Sequence, residues 1–130
     1  HGGISIGIAT DMGSVGEAVK ERLKGCRVLV LEANHDEDTL FASDRPMRLK
    51  QRIASRQGHL SNRQAAELIA GIAGHGAETV FLAHLSSECN IGGTALKTVK
   101  KALSDAGCEE VRVMLTYQDR PSECVEIEKG

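Results

Sequence analysis

Short apolar runs alternate along this chain with stretches whose apolar residues recur at helical spacing. Ile4–Ala9, Val28–Leu31 and Val80–Ala83 are brief, β-rich and bounded by turn residues, which predicts buried strands. Val111–Leu115 and Cys124–Ile127 read as two last strands, with a Gln118–Ser122 loop between them. After the first run, Ser14 and Glu17 have the spacing of a capping box, predicting a helix that reaches about Leu23 and stops at Gly25. A polar loop, Glu32–Asp38, leads into a short apolar turn around Leu40 and Phe41. Pro46 is suited to open a helix whose Leu49 and Ile53 form an i, i+4 stripe and which Gly58 ends. Ser61 and Gln64 form a second capping box, and the helix behind it turns Ala65, Leu68, Ile69 and Ile72 to a core. The loop Leu85–Gly93 precedes a helix over Thr94–Ala106 that stops at Gly107. Strand and helix in alternation predict a layered α/β domain, with a mixed but largely parallel sheet flanked by helices.

Three of the strands end on residues that bind metals or move protons. The run Ile4–Thr10 ends on Asp11, Val28–Leu31 on Glu32, and Val80–Ala83 on His84. If the strands are parallel neighbours, all three groups gather on the carboxyl-end rim, where α/β sheets build their sites. Asp11 then suits a metal ligand, and a neutral His84 suits zinc or manganese. A turn Asp capping Gly13 or Ser14, and a loop His bonded within its loop, fit the same spacings. His59 lies on a corner between Gly58 and the cap Ser61, where it could give a proton to a leaving oxygen, its tautomer fixed by an acid such as Glu32. An exposed loop histidine fits that position equally. Glu32, Asn34, His35 and Asp36 form a polar cluster after an apolar strand, consistent with an anchor for a neighbouring histidine. His75, between two glycines, reads as a surface turn residue.

Composition narrows the partners. At 130 residues, 41% hydrophobic, the chain suits one domain, and its net charge of −2 gives no global field for nucleic acid or membrane. Such a partner needs a local patch, and Arg45, Arg48, Lys50, Arg52 and Arg56 supply one, with no acid among them. They lead straight to His59 and could hold phosphates; the solvated face of an amphipathic helix has the same pattern. Phe41, Phe81 and Tyr117 are too few for a base-stacking platform. The widely spaced Cys26, Cys89, Cys108 and Cys124 read as reduced thiols of a cytoplasmic protein. No apolar stretch is long enough to span a bilayer, no charged-then-apolar leader is present, and a start without Met points to part of a longer protein. The glycines between Gly7 and Gly16 lack both nucleotide-binding spacings.

Five motifs, in order, resemble the second half of a metallo-β-lactamase-fold hydrolase. They are Ala9-Thr10-Asp11-Met12-Gly13, Leu31-Glu32-Ala33-Asn34-His35-Asp36, Leu49-Lys50-Gln51-Arg52-Ile53, Gly58-His59-Leu60-Ser61-Asn62 and Leu82-Ala83-His84-Leu85-Ser86. The YycJ/WalJ-type exonuclease-like branch is the nearest in pattern, and Gln118-Asp119-Arg120-Pro121-Ser122 resembles its C-terminal tail. The resemblance implies that Asp11 bridges two divalent ions, zinc or manganese, and that His84 binds the second. It also implies that His59 helps the leaving group depart with Glu32 in support, although Leu60 departs from the pattern of the related tRNA-processing nucleases at that motif. The His-x-His-x-Asp-His motif of the superfamily's N-terminal half does not occur here. The resemblance therefore implies the C-terminal half of an αββα sandwich, inactive alone. Its uncovered sheet face would be closed by the absent half, a partner chain or a second copy. A hydrolase of another ester or thioester, and a non-catalytic binding or assembly module, remain as alternative readings.

Overall fold

A computed structural model describes residues Gly2–Lys129. Four strands, β1 (Ile6–Ala9), β2 (Val28–Glu32), β3 (Thr79–Ala83) and β4 (Arg112–Leu115), form one sheet in the order β1-β2-β3-β4. Every pairing is parallel, so the sheet among the described residues carries no antiparallel strand. The helices are α1 (Glu17–Leu23), α2 (Glu37–Ala42), α3 (Met47–Ala54), α4 (Asn62–Ile72) and α5 (Gly92–Asp105), with a 3-10 turn at Ala73–His75.

Sequential parallel neighbours joined by crossovers of one hand place the crossover helices on a single side. There Leu29, Leu31, Val80 and Leu82 pack against Leu23 of α1, Leu68 and Ile69 of α4, and Val99 and Leu103 of α5. The register sets Ile8, Val30, Phe81 and Met114 side by side on the opposite face. Ile6 and Ile8 on that face are 63% and 69% exposed, while Val30, Phe81 and Met114 are half-buried, so it is open at the β1 edge.

Several expected details differ. The Cys124–Ile127 strand does not form: the tail leaves β4 without pairing and ends beside Gly2, at the β1 edge. A segment that passes across a sheet cannot share a strand's hydrogen-bond ladder. The Ser14–Glu17 capping box is also absent, since α1 is capped by Gly16 and Glu17 pairs with Lys20 at 2.8 Å. Residues before Gly16 are held out of the helix by tertiary contacts of Met12 and Gly13. In α3 the interior residue is Lys50, whose ammonium donates to the Phe41 carbonyl at 2.7 Å, whereas Leu49 is 40% exposed. The apolar turn at Leu40 and Phe41 is helix α2, capped by Asp36, which accepts from the Thr39 backbone N–H at 2.9 Å. The second capping box forms in full, Ser61 and Gln64 each accepting from the other's backbone N–H.

Candidate active site

The parallel order of β1, β2 and β3 brings Asp11, Glu32 and His84 to the same end of the sheet. Asp11 and His84 follow their strands in the left-handed backbone region, with φ of 58° and 55°, and no other described non-glycine residue shares it. Left-handed backbone costs an Asp or His about 1 kcal/mol or more, so neighbouring contacts must hold it. For His84 the holder is Asn34, whose Nδ2 donates to the His84 carbonyl at 2.9 Å. Both side chains stay open to solvent, 67% exposed for Asp11 and 46% for His84.

His59 enters from the turn after α3. Its backbone N–H donates to the Ile53 carbonyl at 2.9 Å, and a Cβ on Gly58 would lie 2.1 Å from that same oxygen, so only glycine lets the chain close there. A Cβ on Gly13 would lie 2.2 Å from the Ser55 carbonyl. One corner, residues 53–56, thus fixes both the His59 turn and the loop carrying Asp11.

At the centre is Glu32, its side chain 0% exposed. Oε1 accepts from His59 Nδ1 at 2.7 Å, and Oε2 faces the backbone N–H groups of Met12 at 3.3 Å and Leu60 at 3.5 Å. A carboxylate given over to N–H donors acts as an anchor, and with Nδ1–H bound to it the His59 Nε2 is the nitrogen left for chemistry. Asp11 Oδ1 lies 3.4 Å from His84 Nδ1 and 3.8 Å from His59 Nδ1. Two ligand atoms on one tetrahedral ion at ordinary bond lengths stand about 3.4 Å apart, which the Asp11–His84 pair matches. Asp11, Glu32 and His59 also offer atoms within 4.8 Å of one another, but the anchoring bonds of Glu32 favour Asp11 and His84 as the ligand pair.

The basic set separates. Lys50 is interior and bound to a carbonyl, and Arg45 is paired with Glu88 at 3.0 Å. Arg48, Arg52 and Arg56 are exposed without an ion-pair partner among the described residues. A cavity of about 410 Å³ opens between Arg45, Ile53, His59, His84 and Gln118. A second, of about 460 Å³, lies on the other side of His84, against Leu115 and Tyr117.

The sequence placed Asn34 in a polar cluster without naming its partners, and the structure shows that it ties the site loops together. Besides holding His84, its N–H donates to the Leu60 carbonyl at 2.9 Å and its carbonyl accepts from Ser86 N–H at 2.7 Å. Beneath it, the buried amides of Asn62 and Asn90 exchange two bonds of 2.8 Å, and Asn90 donates to the Ala33 carbonyl. Their partners are backbone groups or another loop's amide, which no local spacing reveals. His35 is buried as well, and burial pushes its imidazole below the ordinary value, with Glu37 and Asp36 working against the shift and His59 with it.

No family model matches the chain. It is 33% identical over 102 residues to the exodeoxyribonuclease YycJ of Bacillus anthracis, a match covering 78% of this chain and 39% of that protein. With the exodeoxyribonuclease WalJ of Streptococcus pneumoniae it shares 36% over 99 residues, 76% of this chain and 37% of the other. The chain is homologous to the YycJ/WalJ exodeoxyribonucleases. That is the branch its ordered motifs resemble, and the chain spans 37% to 39% of the length of these curated YycJ/WalJ relatives. Among solved structures it is similar to a diphosphatase of the PhnP family, with 17% identity and a TM-score of 0.43 over 68% of this chain and 26% of that one.

Proposed function

We propose that the chain is the C-terminal portion of a metallo-β-lactamase-fold, metal-dependent phosphodiesterase, specifically a nuclease. The observation that carries the reading is the convergence of Asp11, His84 and the Glu32–His59 pair on one sheet rim, in a chain homologous to exodeoxyribonucleases. A carboxylate oxygen and two imidazoles are a donor set suited to zinc or manganese, and Asp11 with His84 would hold the ions. When bound, two divalent cations supply Lewis-acid charge and a nucleophilic water for attack on phosphorus.

The chain's own residues supply the rest. Glu32 holds the His59 ring with Nδ1–H directed inward, so that His59 in its protonated form can pass the Nε2 proton to the departing oxygen. The exposed Arg48, Arg52 and Arg56 position the nucleic-acid backbone, and Lys50 drops out of that role because its ammonium is used inside the fold. Asp11 and His84 make up only part of the four or more ligands an ion requires, so the remainder belongs to a preceding half of the domain, and the 130-residue chain alone does not turn over. The same half would cover the open Ile6–Ile8 face.

In the full-length protein, Asp11→Ala and His84→Ala should abolish hydrolysis of DNA, and His59→Ala should lower it about 10²–10⁴-fold, the usual worth of a positioned acid. Arg48→Glu with Arg52→Glu should weaken action on DNA while sparing a small phosphodiester such as bis-p-nitrophenyl phosphate. Unchanged DNA hydrolysis in the Asp11 and His84 variants would refute the assignment.

A further inference from the structure

We infer that the cavity between His84 and Tyr117 seats the sugar and base of a single nucleotide, with the base stacked on Tyr117. The inference rests on the phosphodiesterase reading and specifies the substrate at that site. The two cavities flanking His84 share Leu85, Ser86, Ser87 and Gln118, so they adjoin at the histidine. The first contains His59 and His84, where the scissile phosphate belongs. The second continues from His84 to Tyr117, and at about 460 Å³ it admits one nucleoside and not a strand.

Its chemistry suits a base better than a second phosphate. Leu85 and Leu115 give it an apolar floor and Tyr117 an aromatic wall, and its one lining carboxylate, Asp119, is paired with Arg120 at 3.6 Å. The Arg120 guanidinium lies 3.8 Å from the Tyr117 ring centroid, and Arg120 does not itself line the cavity. A ring braced by a cation and 43% exposed is a ready stacking surface. The side chains of Ser87 and Gln118 have no hydrogen-bond partner among the described residues, and a serine hydroxyl and a primary amide can each donate and accept against a base or sugar edge. A lone aromatic makes no multi-base platform, but it suffices for one base. Stacking is tolerant of base identity, so all four nucleobases should be accepted.

Tyr117 is the one tyrosine and there is no tryptophan, so tyrosine fluorescence reports on this residue alone. The chain is titrated with dAMP, dCMP, dGMP and dTMP, and with 2-deoxyribose 5-phosphate as the base-free control. Free tyrosine corrects for nucleotide absorption, and the Ser87 and Gln118 amide resonances follow binding independently of the fluorophore. Each nucleotide should quench Tyr117 saturably and shift both amides, and the base-free control should bind at least about fivefold more weakly, the lower end of base–aromatic stacking. Tyr117→Phe should bind within about twofold of the natural chain, and Tyr117→Ala at least about fivefold more weakly, both read by the amide shifts. Equal affinity with and without a base, unchanged affinity in Tyr117→Ala, or no saturable change would overturn the seat. The readout needs neither metal nor turnover. Such a result therefore leaves the phosphodiesterase reading intact if Asp11→Ala inactivates the full-length protein, whereas base-selective binding beside a full-length Asp11→Ala variant that stays fully active would instead remove the phosphodiesterase assignment.

Discussion

At the scale of single residues, the buried carboxylate of Glu32 organises the site. It answers three N–H donors from two separate segments, the loop after β1 and the His59–Leu60 turn, so a glutamine in its place would turn an amide N–H₂ toward groups that themselves donate. Glu32→Gln should lower stability by about 1–3 kcal/mol, measured by denaturant unfolding, the usual cost of leaving buried donors unsatisfied. A variant as stable as the natural chain would show that the carboxylate is not the anchor. His35 predicts a pH dependence. Its folded-state value is depressed by burial below the ordinary 6.5, so between the two values the unfolded chain binds more protons. The stability His35 contributes is complete above about pH 6.5 and is lost as pH falls through the depressed folded value. Glu37 adds a second loss at lower pH. Burial raises its carboxyl, but the Ser61 and Arg63 hydrogen bonds outweigh that and hold it below its ordinary 4.5. Thermal midpoints should fall from pH 7 toward pH 5, and His35→Gln should flatten that part of the curve.

At the scale of elements, the corner after α3 couples two parts of the site. Gly13 and Gly58 approach it from different loops, each too close to a carbonyl to admit a methyl group. Gly58→Ala should cost about 1–3 kcal/mol by overpacking and shift the His59 ring resonances away from those of the natural chain. The first four expected strands and the Ser61–Gln64 box were legible in sequence because their determinants lie within a few residues, whereas the expected Cys124–Ile127 strand was not borne out. The expectation that parallel strands would bring Asp11, Glu32 and His84 to one end of the sheet matches the structure. What misled was local spacing overridden by tertiary contact. Ser14 and Glu17 have the right separation for a cap, yet Gly13 is held against Ser55 and the helix starts later. The Leu49–Ile53 stripe has helical period, yet Lys50 is the residue that turns inward because its amine finds a carbonyl there. The Glu32–His59 bond joins residues 27 apart, and Asn34 works mainly through other residues' backbone groups, so neither contact could be read locally.

At the scale of the molecule, the chain has one well-packed side and one open one. Helices α1, α4 and α5 share a single face of the sheet, Ile6 and Ile8 lie exposed on the other, and on the proposed reading the rim contributes Asp11 and His84 as ligands. The proposed reading, an incomplete layer of a larger hydrolase, would account for all three features, and the homologous exodeoxyribonucleases are longer than this chain. The most direct test is the metal content of the full-length protein, its Asp11→Ala and His84→Ala variants, and this 130-residue chain, each purified with manganese or zinc and analysed for bound ions. The account predicts about two ions per full-length protein, a clear loss in either variant, and almost none on the chain alone. Stoichiometric metal on the chain alone, or full metal content in both variants, would contradict it.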